Sequence, residues 1–335
     1  MVDPGFSVVM PARNTAGMID AALRSALAQT RPDFELLVVD DGSTDGTAEV
    51  VERWTQDARV RLLRRERSDG PGAARNAAFA EARAPYVSML DSDDIWLPGY
   101  LRAAGQALDR NPRAGLACTK HWTLEDPPGL VRRKPAWVVG GPPELLEADA
   151  FLLRLVRGNF VVNSTVTVRR SALEAVGGCN PALPAAVDFD LWLRLAAAGY
   201  GAVRVPQPLA VYRVRRGSIQ NDPQNELRAC RGLRSVYEAV AAEWEVPAEV
   251  RSIAAAKLRW LDRRIGTLTG RRPLSAALLT ARRRAGVARR ALWQRRLWYT
   301  TLPAELAAAL EEVGGPVAGA DAAPTPDRNQ AGLTS

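Results

Sequence analysis

Over the first hundred residues short apolar runs alternate with amphipathic ones, and this alternation restricts the chain to a layered α/β fold. Phe6-Ser7-Val8-Val9-Met10 is a short β-branched run that ends at Pro11. From Met18 to Gln29, Ile19, Ala22, Leu23, Ala26 and Leu27 recur at helical spacing. Glu35 to Val39 is almost continuously apolar, as buried parallel strands are. It breaks into Asp40-Asp41-Gly42-Ser43-Thr44-Asp45, and a helix is predicted from Thr47 to Trp54 with Asp45 as its cap. A third strand over Val60 to Leu63 leads through Ser68 to Gly72 into a helix that carries Arg75 and Asn76. The fourth, Tyr86 to Leu90, stops in Asp91-Ser92-Asp93-Asp94. The pattern predicts a mostly parallel, right-handed, doubly wound sheet flanked by helices.

Two of these strands end in acids, so two acidic loops fall at the carboxyl edge where open α/β sheets bind ligands. Asp91 and Asp93 are two apart and both reach one hard cation on a bending strand end, with diphosphate oxygens and water completing the shell. A solvated acidic turn before a helix starting near Leu97-Pro98 is the competing explanation. Asp40-Asp41-Gly42-Ser43 is likewise open to being a simple turn.

Beyond Arg110 the pattern changes. Ala114 to Trp122 reads as a strand, 125–143 as a Pro-, Gly- and Trp-containing loop or lid, and Glu144 to Arg157 as a helix. Val161 to Arg169 reads as one strand, Ala202 to Val205 and Leu209 to Arg213 as two closing strands. Between them Asp188-Phe189-Asp190-Leu191-Trp192 opens a helix with an acidic first turn, which the helix dipole favours. Trp96, Trp122 and Trp137 are candidates for an acceptor cleft, although single aromatics are more often core. From Asp222 onward the chain reads as helical, with breaks at Gly266 to Pro273 and Thr300 to Pro303. The division expected is 1–220 as the main domain, 221–313 as a basic helical region and 314–335 as a disordered tail.

Beyond Pro247, 15 Lys and Arg stand against 7 Asp and Glu, whereas the chain before it is balanced at 30 and 30. A nucleic-acid binder spreads basic residues over its folded face, so no nucleic-acid partner is expected. The balance also suggests that a chain cut after Val246 folds alone. Arg282-Arg283-Arg284, Arg289-Arg290 and Arg295-Arg296 lie among Leu and Trp residues, a pattern that suits either peripheral membrane contact or a packed helical pair with a solvated Arg face. Three cysteines far apart and a single His121 exclude a thiolate zinc site and a disulfide framework. No apolar run approaches the roughly 18 residues of a membrane span, and no basic-then-apolar leader opens the sequence. The expected location is cytoplasmic, peripheral at the inner membrane face if the Arg-rich helices touch lipid.

Taken together and in order, Val8-Val9-Met10-Pro11-Ala12-Arg13-Asn14, Val38-Val39-Asp40-Asp41-Gly42-Ser43-Thr44-Asp45, Gly72-Ala73-Ala74-Arg75-Asn76, Leu90-Asp91-Ser92-Asp93-Asp94 and Asp188-Phe189-Asp190-Leu191-Trp192 resemble glycosyltransferase family 2. The resemblance covers about Phe6 to Gln220. It implies the GT-A type, a Rossmann-like sheet, here with a C-terminal helical appendage, and an inverting transfer of a sugar from a nucleoside-diphosphate sugar to an acceptor hydroxyl. The acceptor stays open among a glycan, a lipid-linked sugar and a small molecule. By the same resemblance Pro11, Arg13 and Asn14 pass under the nucleoside, Asp40 with Asp41 meets the base or ribose, and Arg75 lies near the pyrophosphate. Asp91 sits close to ribose and sugar, Asp93 with Asp91 holds Mn²⁺ or Mg²⁺, and Asp188 is the general base. Val187 replaces the usual Glu before it, and Arg215 stands where many members carry His.

The chemistry asks for these residue types independently. A cation on few carboxylates stabilises charge on a departing diphosphate, and a carboxylate takes the proton that makes an acceptor hydroxyl nucleophilic. A sugar-phosphate nucleotidyltransferase would want a Gly-rich basic loop after the first strand, and Pro11-Ala12-Arg13-Asn14 is not one. An inactive transferase kept as a scaffold is the remaining alternative, and donor turnover separates it from the enzyme.

Overall fold

The computed structural model describes residues 4–126, 130–132, 142–215, 223–270 and 308. Its elements run β1 (Phe6–Ala12), α1 (Ile19–Leu27), β2 (Phe34–Asp41), α2 (Thr47–Glu52), β3 (Val60–Arg65), α3 (Pro71–Glu81), β4 (Tyr86–Met89), β5 (Ile95–Trp96) and α4 (Tyr100–Asp109). After them come β6 (Ala114–Asp126), β7 (Leu130–Arg132), β8 (Glu144–Leu146), α5 (Ala148–Arg157), β9 (Val166–Arg169), α6 (Arg170–Ala175), α7 (Val187–Ala197), β10 (Gly201–Arg215), α8 (Pro223–Ala242) and α9 (Ala248–Leu268).

The strands form one sheet in the order β3-β2-β1-β4-β9-β6-β10-β5, with β7 beside β6 and β8 beside β10. β1, β2, β3 and β4 are parallel, as the apolar runs predict. Alternate residues of β1 and β2 face opposite sides. Val8, Leu36 and Val38 pack with Ile19 and Leu23 of α1 and with Tyr100 and Leu101 of α4. Val9, Leu37 and Val39 pack with Ala74 and Ala78 of α3 and with the apolar faces of α5 and α7. Burial on both faces explains why these strands lack the alternation of a half-exposed one.

The second half of the sheet departs from expectation. β9 runs antiparallel to both β4 and β6, while β10 is parallel to β6. Val161 to Arg169 is not one strand: Asn163–Thr165 is a 3₁₀ turn and the strand starts at Val166. Residues 144–157 split into β8 and α5 at Glu147, whose backbone is extended. The two closing strands are one, β10, whose register with β6 shifts between Val205 and Ala210 across Pro206 and Pro208. Proline donates no ladder bond, so those shifts are where the sequence breaks its pattern. Part of the expected lid is sheet, since β6 continues to Asp126 and β7 pairs with it. Trp137 and the Arg-rich stretch from Arg282 to Arg296 lie outside the described residues.

α8 and α9 share the core of α5 and α7. Cys230, Val236, Tyr237 and Val240 of α8 and Val250, Ala254 and Leu261 of α9 are buried with Phe151, Leu155, Phe189 and Trp192. The Tyr237 hydroxyl donates to the Val156 carbonyl at 3.2 Å, and Arg157 pairs with Glu249 at 2.7 Å. Charge balance before Pro247 is therefore no measure of whether the front is self-sufficient, because an apolar face, not a charge, is what these helices cover. No helix among the described residues is long and apolar enough to cross a membrane.

Candidate active site

The register of the parallel strands brings the acids to one edge. Ala12 of β1 lies beside Asp40 of β2, and Val9 lies beside Met89 of β4, two residues before Asp91. The loops after β1 and β2 are tied together there. The Asn14 backbone amide donates to Ser43 Oγ at 3.1 Å, and Asn14 Oδ1 accepts from the Thr44 amide at 2.9 Å. Asn14 takes a left-handed backbone, φ 51°, which Asn tolerates better than most residues. Asp45 accepts from Thr47, backbone and hydroxyl, and from the Ala16 amide. It thus holds the start of α2 and the α1 loop at once, although the cap position itself is Gly46.

Asp40 is buried and accepts from the Ser43 amide at 3.3 Å. Asp41 is also buried, and protein donors hold both of its oxygens: Arg65 at 2.7 Å and the Ser68 hydroxyl at 2.6 Å. Arg13 reaches the same Ser68 hydroxyl at 2.8 Å. Pro11 stays within β1, opposite Val39.

The fourth strand end is the densest part of the site. Asp91 Oδ1 accepts from Arg75 Nη2 and from Asn163 Nδ2, both at 2.8 Å, and its backbone amide donates to Ser164 Oγ at 3.0 Å. Asp94 faces away from solvent, accepting from the Ser164 hydroxyl at 2.5 Å and from the Arg213 amide at 2.9 Å. Burial, and behind it the charges of Asp93 and Asp91, push the Asp94 carboxyl well above the usual carboxylate range. Asp94 is thus a strut that joins the acidic loop to β10 and the 3₁₀ turn. Asp91 and half-buried Asp93 are the acids left at the edge. Their chemistry fits a hard divalent cation. Among the described residues no group of three or more His, Cys, Asp or Glu could hold a metal ion.

Arg75 is buried and charged. Burial opposes its charge, and its hydrogen-bonded partner Asp91 leads the groups that more than offset it. Asp188 sits in the first turn of α7, where burial raises its carboxyl while Arg75 and the Phe189 amide pull it back. Asp190 is committed elsewhere: it accepts from Arg194 at 2.8 Å, and Arg194 donates onward to the carbonyls of Val176 and Gly178. Val187 is buried and packs against the first turn of α3.

Sequence reasoning missed Asn163 and Ser164, which join Asp91 and Asp94 from the turn before the neighbouring strand β9. Their signal was present as a polar trio, Asn163-Ser164-Thr165, inside an apolar run. Trp96 and Trp122 are buried and cannot line an open cleft. Trp96 stacks on Tyr100 with ring centroids 4.0 Å apart and donates to the Ser164 carbonyl at 2.7 Å.

A parallel half-sheet whose strand ends gather acids at one edge, extended by an antiparallel strand into a second half, is the GT-A class of glycosyltransferase. Solved structures share the fold. The Staphylococcus aureus TarS 1–349 complex with UDP-GlcNAc aligns with TM-score 0.59 and 21% identity over 78% of this chain and 72% of that one. The mannosyltransferase PcManGT of Pyrobaculum calidifontis, in complex with GDP-Man and Mn²⁺, aligns with TM-score 0.60 and 20% identity over 94% and 87%. The chain belongs to glycosyl transferase family 2, whose model matches residues 7–177. TuaG of Bacillus subtilis, a glycosyltransferase named for teichuronic acid biosynthesis, is 29% identical over 71% of this chain and 88% of its own length. WfgD of Escherichia coli, a UDP-Glc:alpha-D-GlcNAc-diphosphoundecaprenol beta-1,3-glucosyltransferase, is 41% identical over 30% of this chain and 40% of its own length. The chain is a glycosyltransferase.

Proposed function

We propose that this glycosyltransferase moves a sugar from a nucleoside-diphosphate sugar to an acceptor hydroxyl with inversion at the anomeric carbon. The observation that carries the reading is Arg75, a buried cation of α3 that bonds Asp91 at 2.8 Å, while the first turn of the same helix packs on Val187, the residue before Asp188. One helix thus links the strand end proposed to meet the donor and the helix start proposed to activate the acceptor. Asp40, with the Pro11, Arg13 and Asn14 loop, faces the nucleoside in this reading, and Asp41 orders the neighbouring loop through Arg65 and Ser68. Asp93 with Asp91 would hold Mn²⁺ or Mg²⁺, which when bound neutralises charge on the leaving diphosphate. Asp188 takes the acceptor proton, and its raised carboxyl makes it a better base than an ordinary aspartate. A single in-line attack from the face opposite the leaving group inverts the centre.

The transferase machinery is assigned to residues 1–220, with 221–313 as an attached helical region and 314–335 as a tail. Peripheral contact with an anionic membrane through the Arg-rich stretch accords with the lipid-linked acceptor in the WfgD name. A thermal-shift panel of UDP, dTDP, GDP and CDP, each with and without Mn²⁺, tests the donor reading, since a ligand of the native state raises stability with its affinity. One nucleotide stabilising only with the metal is the expected result. No shift with any of the four contradicts it.

A further inference from the structure

Asp188 follows a backbone that is not at rest. Ala186, the residue that caps α7, has φ 60° and ψ 27°, and no side chain caps the helix. A left-handed alanine is strained and persists only where its surroundings impose it. Those surroundings are two helices. From one side the first turn of α3 closes in: a Cβ on Gly72 would lie 3.1 Å from Val187 Cγ1 and 3.3 Å from the Asn180 carbonyl oxygen. From the other side α8 lies directly on the turn. A Cβ on Gly232 would collide with the Ala185 carbonyl, 2.8 Å from its carbon. Four residues earlier on the same helix, Arg228 Nε donates to the Pro184 carbonyl at 2.7 Å. One further turn along, Tyr237 packs against Phe189 with ring centroids 5.7 Å apart. α8 therefore touches residues on both sides of Asp188.

We propose that α8 is a positioning element of the transferase site, in which Gly232 and Arg228 hold the Pro184–Ala186 turn in the strained form that aims Asp188 at the acceptor. The inference rests on Asp188 being the base, but its structural part stands apart from that. Gly232 is needed for the close approach: any side chain there pushes the helix off the turn. Arg228 supplies a hydrogen bond from α8 to the turn that a mild substitution removes. With either lost, Ala186 relaxes toward an ordinary backbone and the carboxylate two residues on turns with it. The hydrogen bonds described for Asn14, Asp41, Asp45 and Asp91 in the loops after β1, β2 and β4 go to residues outside α8, so donor binding is expected to be unaffected.

The test compares the full-length wild type with Arg228→Ala and Gly232→Ala. Arg228 is exposed, so its variant folds even where Gly232→Ala does not. Hydrogen exchange of peptides spanning residues 184–190 is expected to quicken at least tenfold, while peptides over β1, β2 and residues 91–94 are unchanged. Affinity for UDP with Mn²⁺, or for whichever nucleotide the panel selects, stays within twofold of wild type. Turnover of the matching nucleotide-sugar falls at least tenfold in kcat with KM held. Adding Ala186→Gly to Arg228→Ala, which removes the strain, restores part of the kcat. The proposal is overturned if exchange over 184–190 is unchanged, if it quickens with no loss in kcat, or if the whole sheet loosens in step and nucleotide affinity falls with it. Full turnover by Asp188→Asn alongside the expected exchange result would remove the base assignment and leave the clamp in place.

Discussion

Asp94 and Asp91 are three residues apart and do opposite things because of what surrounds them. Asp94 is closed off by Ser164 and the Arg213 amide, and Asp91 keeps an edge toward the proposed donor. The role of Asp93 follows from the same edge, and Asp93→Ala is expected to remain folded and to lose metal-dependent nucleotide binding. Calorimetry with Mn²⁺ present checks this, and unchanged affinity would remove the metal assignment. Away from the site, Glu35 is the clearest electrostatic strut. It is buried and accepts from the Ser7 hydroxyl and from Arg83, side chain and backbone. Burial alone would raise its carboxyl, but the Arg83 and Ser7 bonds outweigh that and hold it below the ordinary glutamate value of 4.5. Its stabilisation is present in full above that value and is lost as the pH falls through the lower native one. Glu35→Ala is expected to cost about 1–3 kcal/mol at neutral pH. Chemical denaturation at pH 7 and pH 3 should show the gap between variant and wild type closing on acidification.

Among elements, what could be read from the sequence depended on how each strand finds its partner. β1, β2 and β4 are parallel, largely buried and separated by helices, so short apolar runs announced them, and β3, a half-exposed edge strand, was announced by Val60, Leu62 and Leu63. β5 has two residues, too few for any period. The 3₁₀ turn was hidden because its neighbours Val161, Val162 and Val166 are apolar and β-branched. The acids of the site were legible, since strands ending in carboxylates have no packing reason to do so. Their partners were not, because Asn163 and Ser164 meet Asp91 and Asp94 only once β9 pairs beside β4. The turn nonetheless supports the acidic loop through one hydroxyl. Ser164→Ala leaves the Asp91 amide and an Asp94 oxygen short of a partner inside the protein, so it is expected to destabilise by about 1–3 kcal/mol. Urea denaturation measures this, and a neutral effect would mean the loop is held by the sheet alone.

At the scale of the molecule, α8 and α9 decide whether the front half is complete. Removing the chain after Val246 takes away Val250 and Leu261, both fully buried, and uncovers part of the core that α9 shares with α5, α7 and α8. Each large apolar side chain is worth about 1.5–3 kcal/mol of burial, so truncation is expected to lower the melting temperature by about 10 °C or to yield insoluble protein. A truncated chain as stable as the whole would show that these helices are an ornament on a finished core. The excess positive charge beyond Pro247 was no guide to what the inner face of α9 covers.

The central claim is that Asp188, and not its neighbour Asp190, takes the proton from the acceptor. Asp190 is bound to Arg194, which also holds the carbonyls of Val176 and Gly178 in the turn after α6, so Asp190→Asn is expected to loosen that turn and reduce stability. Asp188→Asn keeps the shape of the side chain and removes its basicity. The measurement is product formation by each variant with the donor that the nucleotide panel identifies, alongside nucleotide affinity. Asp188→Asn is predicted to bind nucleotide and metal as wild type does and to lose about a hundred- to ten-thousand-fold in rate. Near-normal turnover by Asp188→Asn, or loss of nucleotide binding as severe as the loss of turnover, would contradict the account.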